Sequence, residues 1–95
     1  MHNPLTKQQL LSQLKDERST LHDLVWELDE LEVALAELEA EYASKSHVNE
    51  AITSRLERLR ERYDMLQEAV LGQMLHLDHL QVRFDQLPYP QVRAA

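Results

Sequence analysis

The sequence predicts an all-α fold: an antiparallel two-helix coiled-coil hairpin, with helices over about residues 7–43 and 48–87. Three observations carry that expectation. Strong helix formers (Leu, Glu, Gln, Arg, Ala) dominate, while the 95 residues include one Gly, three Pro and no Cys. Large apolar residues recur at alternating steps of three and four along nearly the whole chain. One weak stretch near the midpoint, Ala43 to Asn49, is where the chain can reverse. The shortage of Gly and Pro also leaves no material for β-hairpin turns or a phosphate-cradling loop. Without thiols there is no disulfide, zinc–thiolate site or cysteine nucleophile.

The first helix opens on a capping signal. Thr6 is a good N-cap, Gln9 stands three residues later as a capping box requires, and Leu5 and Leu10 take the hydrophobic-staple positions. A start capped by Asn3, with Pro4 first in the helix, is the alternative. Leu14, Leu21, Leu28, Leu35 and Tyr42 then form the a row of a heptad pattern. Leu10, Leu24, Leu31 and Leu38 form the d row, with Glu17 as its polar exception. From Ala43 to Asn49 only Val48 is large and apolar, and poor helix formers predominate. The second helix resumes both rows. Leu56, Tyr63, Val70, Leu77 and Phe84 lie at a; Ile52, Leu59, Leu66, Leu80 and Leu87 lie at d, with Gln73 as the exception. Pro88 and Pro90 stop it. Residues 1–87 therefore read as a single domain with a turn near 43–49, and residues 88–95 as a disordered, proline-containing tail.

The heptad register does not slip across the midpoint, since Tyr42, Asn49 and Leu56 are seven apart. One straight helix of about 80 residues, roughly 120 Å long, is thus the competing architecture. Flanking charges choose the orientation of pairing; two long helices pairing antiparallel in trans would keep the same contacts, and the hairpin is preferred because it needs no second molecule. Parallel in-register pairing would set Glu27 against Glu32 and Arg55 against Arg60, both repulsive. Folding about residue 47 instead matches seam residues whose numbers add to 94: Tyr42 with Ile52, Leu38 with Leu56, Leu35 with Leu59, Leu14 with Leu80 and Leu10 with Phe84. It also places Glu32 by Arg60 and Glu41 by Arg55. Such exposed pairs are worth only about 0.2–1 kcal/mol each, but their signs favour the antiparallel form.

Two helices share one seam and leave its outer side wet. Ordering the chain costs on the order of 1.5 kcal/mol per residue, which a lone hairpin struggles to offset with apolar burial. Apolar residues outside the seam supply the remedy. Leu11, Val25 and Met74 lie at e, Leu71 at b, and Trp26, Val33, Leu75 and Val82 at f. Leu11, Val25, Trp26, Leu71, Met74, Leu75 and Val82 are the expected interface of a homodimeric four-helix bundle, or of docking by a different protein. Trp26 is its natural anchor. Glu17 and Gln73 lie one layer apart, where a hydrogen bond between them would set the register.

Charge bounds the partners. The formal net charge is −7, and eight acids with no Lys or Arg lie between Leu21 and Tyr42. Such a surface repels phosphate backbones, so nucleic acid is not an expected partner. No signal-like segment and no apolar run of about 18 residues is present, so a cytoplasmic location without membrane contact is the expectation. His76 and His79 share a helix face and His22 lies near their height, but at unsuitable heptad positions. The Glu-x-x-His pair of di-iron bundles and the His-Glu-x-x-His of zinc proteases are absent. No cofactor, metal or small-molecule substrate is therefore expected. Arg55, Arg58, Arg60 and Arg62 alternate with Glu57, Glu61 and Asp64 and read as ion-pairing residues. Gly72 lies at c, where it permits close helix approach or is simply tolerated.

The functional expectation is a non-catalytic protein-interaction or assembly module: an adaptor, small chaperone or structural subunit. An acidic regulator that mimics nucleic acid towards a basic protein is the alternative. The Trp-x-Gly that small secreted helical hairpins of the WXG type carry at their turn is absent, because Trp26 lies mid-helix and is followed by Glu27 and Leu28.

Overall fold

The structure is a computed structural model that describes residues 6–44 and 49–88. Two long helices, α1 (Lys7–Ser44) and α2 (Glu50–Gln86), pack against each other along their lengths. At 1.5 Å per residue each is roughly 55 Å long. They run antiparallel. Lys7, at the start of α1, reaches the Leu87 carbonyl 3.0 Å away, and Arg60, early in α2, meets Glu39, late in α1. Among the described residues there is no strand.

The helix ends follow from side-chain chemistry. Thr6 and Gln9 form the reciprocal capping box: the Thr6 N–H donates to Gln9 Oε1 at 2.8 Å, and the Gln9 N–H to Thr6 Oγ1 at 3.1 Å. The staple through Leu5 and the alternative start at Asn3 and Pro4 lie outside the described residues. Near the midpoint the expected bounds shift slightly. Ala43 and Ser44 belong to α1, with Ser44 Oγ donating to the Glu41 carbonyl at 2.9 Å. Residues 45–48, the centre of the expected turn and the expected start of the second helix at 48, lie outside the described residues.

Helix α2 begins at Glu50 because Asn49 is its N-cap. The Asn49 backbone is extended (φ −80°, ψ 135°) and its side chain accepts from the Ala51 N–H at 3.0 Å. Asn49 holds a seam position by spacing, yet it leaves the helix there, which rules out the straight helix. At the far end Leu87 is the C-cap rather than the last helical residue. Its backbone is extended, and its N–H returns to the Phe84 carbonyl at 3.2 Å, so the chain leaves the helix before Pro88. The tail beyond Pro88 lies outside the described residues.

The seam holds two buried clusters. At the open end Leu10, Leu14 and Leu80 are buried, with Leu77, Phe84 and Leu87 packed on them. Towards the turn Leu35, Leu38 and Leu56 are buried, with Ile52, Leu59 and Tyr63 against them. These sets reproduce the layers expected from pairs adding to 94. Between them Leu21, Leu24, Leu28, Leu66 and Val70 are only half buried. Leu31 is also buried and extends the turnward cluster along α1, so the apolar seam is continuous but least closed from solvent around Leu21 to Leu28.

Candidate interaction surfaces

Cross-helix polar contacts fix which flank faces which. Arg18 donates to Gln81 at 2.9 Å, and Arg60 pairs with Glu39 at 3.3 Å. All four are e positions, so both helices turn their e positions to one side of the hairpin. Stepping by heptads from the first pair to the second passes through Val25 and Met74, which therefore occupy the same rung of this ladder. Arg62 meets Glu27 at 3.5 Å on the opposite flank, where both are g positions.

The e side carries the expected apolar stripe. Leu11, Val25, Trp26, Leu71, Met74, Leu75 and Val82 are all exposed, Trp26 and Leu75 each by 62%. Val25, Trp26, Leu71, Met74 and Leu75 lie beside the half-buried middle of the seam. The site residues are thus brought to neighbouring heptad positions, with Leu11 and Val82 nearer the open end. The Trp26 indole N–H donates to Glu30 Oε1 at 3.0 Å. Because Glu30 is a c position, this bond leans the indole from the outer ridge towards the g side.

Glu17 and Gln73 meet as expected. Gln73 Nε2 donates to the Glu17 carboxylate, and also to the Glu17 backbone carbonyl at 3.0 Å. His76 Nε2 lies 3.7 Å from the other carboxylate oxygen. The polar residues interrupting both d rows are therefore joined across the seam, and the carboxylate keeps partners where leucines surround it. Among the described residues no group of three or more His, Asp or Glu could hold a metal ion, and no described helix is long and apolar enough to cross a membrane.

The charged flanks pair in part within the molecule. Arg60 takes Glu39 rather than the expected Glu32. In an antiparallel pair, Cβ atoms tilt towards each helix's own N-terminus. Arg60 therefore leans towards the turn and Glu39 away from it, so the two converge. Glu41 and Arg55 border one surface cleft, and Arg58 Nε donates to the Ser54 carbonyl at 3.4 Å. Both cross-helix Arg–Glu pairs described, Glu39–Arg60 and Glu27–Arg62, take their arginine from α2.

Three features escaped the sequence reading. Lys7 clamps the open end: its Nζ lies 4.5 Å from the centroid of the Phe84 ring as well as on the Leu87 carbonyl. Met65, at c, is exposed by 68%. On the g side, two shallow clefts of about 230 and 180 Å³ flank Ala34. A small residue at a g position was the available signal for these clefts, since it exposes the seam beneath. Comparison with protein-family models, with curated proteins and with solved structures finds no match for the chain.

Proposed function

We propose that the protein is a non-catalytic interaction module that works by helix-bundle packing, with a homodimer as its basic assembly. One observation carries this reading. The half-buried middle of the seam coincides with the exposed apolar residues Val25, Trp26, Leu71, Met74 and Leu75. A second hairpin laid on that side would bury both at once and turn two end clusters into one core. Fully burying such a side chain is worth about 1.5–3 kcal/mol. For side chains already about half covered, roughly 1 kcal/mol each remains to be gained on docking.

The acidic-mimic reading draws on the run of acids in α1. The ion pairs Glu39–Arg60 and Glu27–Arg62 count against it, because they commit part of that charge to the hairpin's own second helix. The adaptor reading is tested by sedimentation equilibrium on the whole chain. The wild type is expected to run as a dimer, and Trp26→Glu to shift it to monomer with a lower melting temperature. A monomeric wild type, or an unchanged mass in the variant, would overturn the proposed assembly.

A further inference from the structure

Positions e and b alternate in steps of four and three, as a and d do, so each helix carries a second stripe along the e side. On α1 this stripe is polarised. Lys15 and Arg18 lie towards the open end, Asp29 and Glu32 towards the turn, and Val25 between them; all five are exposed. Arg18 gives one N–H to Gln81 and has four more. Lys15, Asp29 and Glu32 have no ion-pair partner among the described residues.

Two hairpins can be laid e side to e side about a two-fold axis in two ways. With the axis along the hairpin, both turns lie at one end and α1 packs on the partner's α2. With the axis across it, the turns lie at opposite ends, and each helix packs on its own counterpart. Charge signs separate the two. In the first, e and b layers have numbers adding to 96, close to the 94 of the seam, and they set Glu32 against the partner's Asp64 and Glu39 against the partner's Glu57. Only Arg18 gains an opposite charge there, from the partner's Asp78.

In the second, α1 layers adding to 47 set Lys15 against the partner's Glu32 and Arg18 against the partner's Asp29, with Leu11 on the partner's Ala36. In α2, layers adding to 145 set Met74 against the partner's Leu71, and Arg60, which also holds Glu39 in its own hairpin, near the partner's Asp85. No like charges meet, and the axis repeats every pair. The α1 layers centre between residues 23 and 24 and the α2 layers between 72 and 73. By the seam register these centres fall within about 3 Å of one height, so one axis serves both helices. Sliding the α1 stripes by a heptad either way sets Leu11 or Val25 against the partner's Asp29.

We infer that the second copy lies with its turn at the opposite end, each helix packed on its counterpart across a two-fold axis near Val25 and Leu71. This deepens the homodimer reading and rests on it. Assembled so, the module is a two-ended rod rather than a bundle with one working end. The turnward ends of α1, at Ser44, stand roughly 65 Å apart.

The test uses the whole chain. It has no Cys, so Ser54→Cys, at an exposed position of α2, carries a single spin label. Residue 54 lies roughly 17 residues from the axis, so the distance between labels across the dimer is expected at about 50–60 Å. Turns at one end would leave only the bundle width, about 20–35 Å. Charge reversal gives an independent reading. In Glu32→Lys the new cation meets the partner's Lys15, and the dimer dissociation constant is expected to rise about tenfold. Adding Lys15→Glu is expected to bring it back. With turns at one end the sign is opposite, because the cation would face the partner's Asp64 and tighten the dimer. Both positions are exposed, so the helical circular dichroism is expected to persist in each variant. A short label distance, a Glu32→Lys dimer as tight as wild type or tighter, or a double variant that does not recover would each overturn the orientation while the dimer stands. A wild-type chain that sediments as a monomer overturns the homodimer reading and the orientation together.

Discussion

Replacing Lys7 by Met should loosen the open end of the hairpin. The methionine keeps the aliphatic stem, so the loss is that of the charge. Three contributions disappear. The ammonium donates to the Leu87 carbonyl at 3.0 Å, and a hydrogen bond involving a charged group contributes about 1.5–3 kcal/mol when sheltered. It stands 4.5 Å from the Phe84 ring centroid, worth about 0.5–1 kcal/mol at an accessible site. It also lies at the C-terminal end of α2, where a cation gains about 0.3–1 kcal/mol from the helix dipole. Against these, the same charge sits at the N-terminus of α1, where the dipole opposes it by a similar amount. The site is only partly buried and the contributions overlap, so the net loss is about 1–2 kcal/mol. For a chain this size that lowers the melting temperature by about 5–10 °C. Thermal and urea unfolding at one fixed protein concentration measures it, the concentration being held because assembly shifts apparent stability. A cycle with Phe84→Leu should return a coupling of about 0.5–1 kcal/mol. A change of melting temperature under about 2 °C would refute the clamp.

The remaining expectations are shorter. Gln73→Leu should destabilise by about 1–3 kcal/mol, because it strips Glu17 of its donor, whereas the double change with Glu17→Leu should be neutral or stabilising; urea midpoints of the three proteins decide it. Asn49→Ala removes the cap of α2 and should cost about 1 kcal/mol, read from the same midpoints. Leu14→Ala, at a site 1% exposed, should cost about 2–5 kcal/mol; equal stability to wild type would contradict the open-end cluster. A Cβ added at Gly72 meets nothing within 4 Å, so Gly72→Ala should raise stability by about 0.5–1 kcal/mol. A loss there would reveal a second chain at that position.

The architecture was legible because the seam obeys a local rule. Each leucine at a or d constrains its own layer, and the layers agree on one fold point. The Thr6–Gln9 box and the stop before Pro88 are also local, and the sequence states both ends. The helix boundary at Asn49 was less legible, because its spacing suits a seam residue and its side chain suits a cap. Capping prevailed, since Asn at N-cap satisfies a backbone donor that a seam Asn would not. Arg60 shows the limit for charges: Glu32 and Glu39 are equivalent in the heptad, and only the tilt of the Cβ atoms separates them. Lys7 stands at the end of its own helix where the dipole repels a cation. Its reason lies 80 residues away, at the end of α2. The clefts were less legible for a related reason, because each is lined from both helices and Ala34 at g is their one local sign.

The division of the buried core into two end clusters has a kinetic consequence. A helix pair closed by uniform packing frays from its free ends inward, and its middle exchanges amide hydrogens last. Here the capping box, the Lys7 clamp and the Leu10–Leu14–Leu80 cluster secure one end, and the Leu35–Leu38–Leu56 cluster secures the region near the other. The stretch around Leu24 and Val70 is the least protected part of the seam. Native-state exchange of the isolated hairpin should therefore show its slowest amides in two separate blocks, with faster opening between them. A partner that covers the middle would fuse the blocks into one cooperative unit, so that assembly is recorded as a change in how the chain breathes.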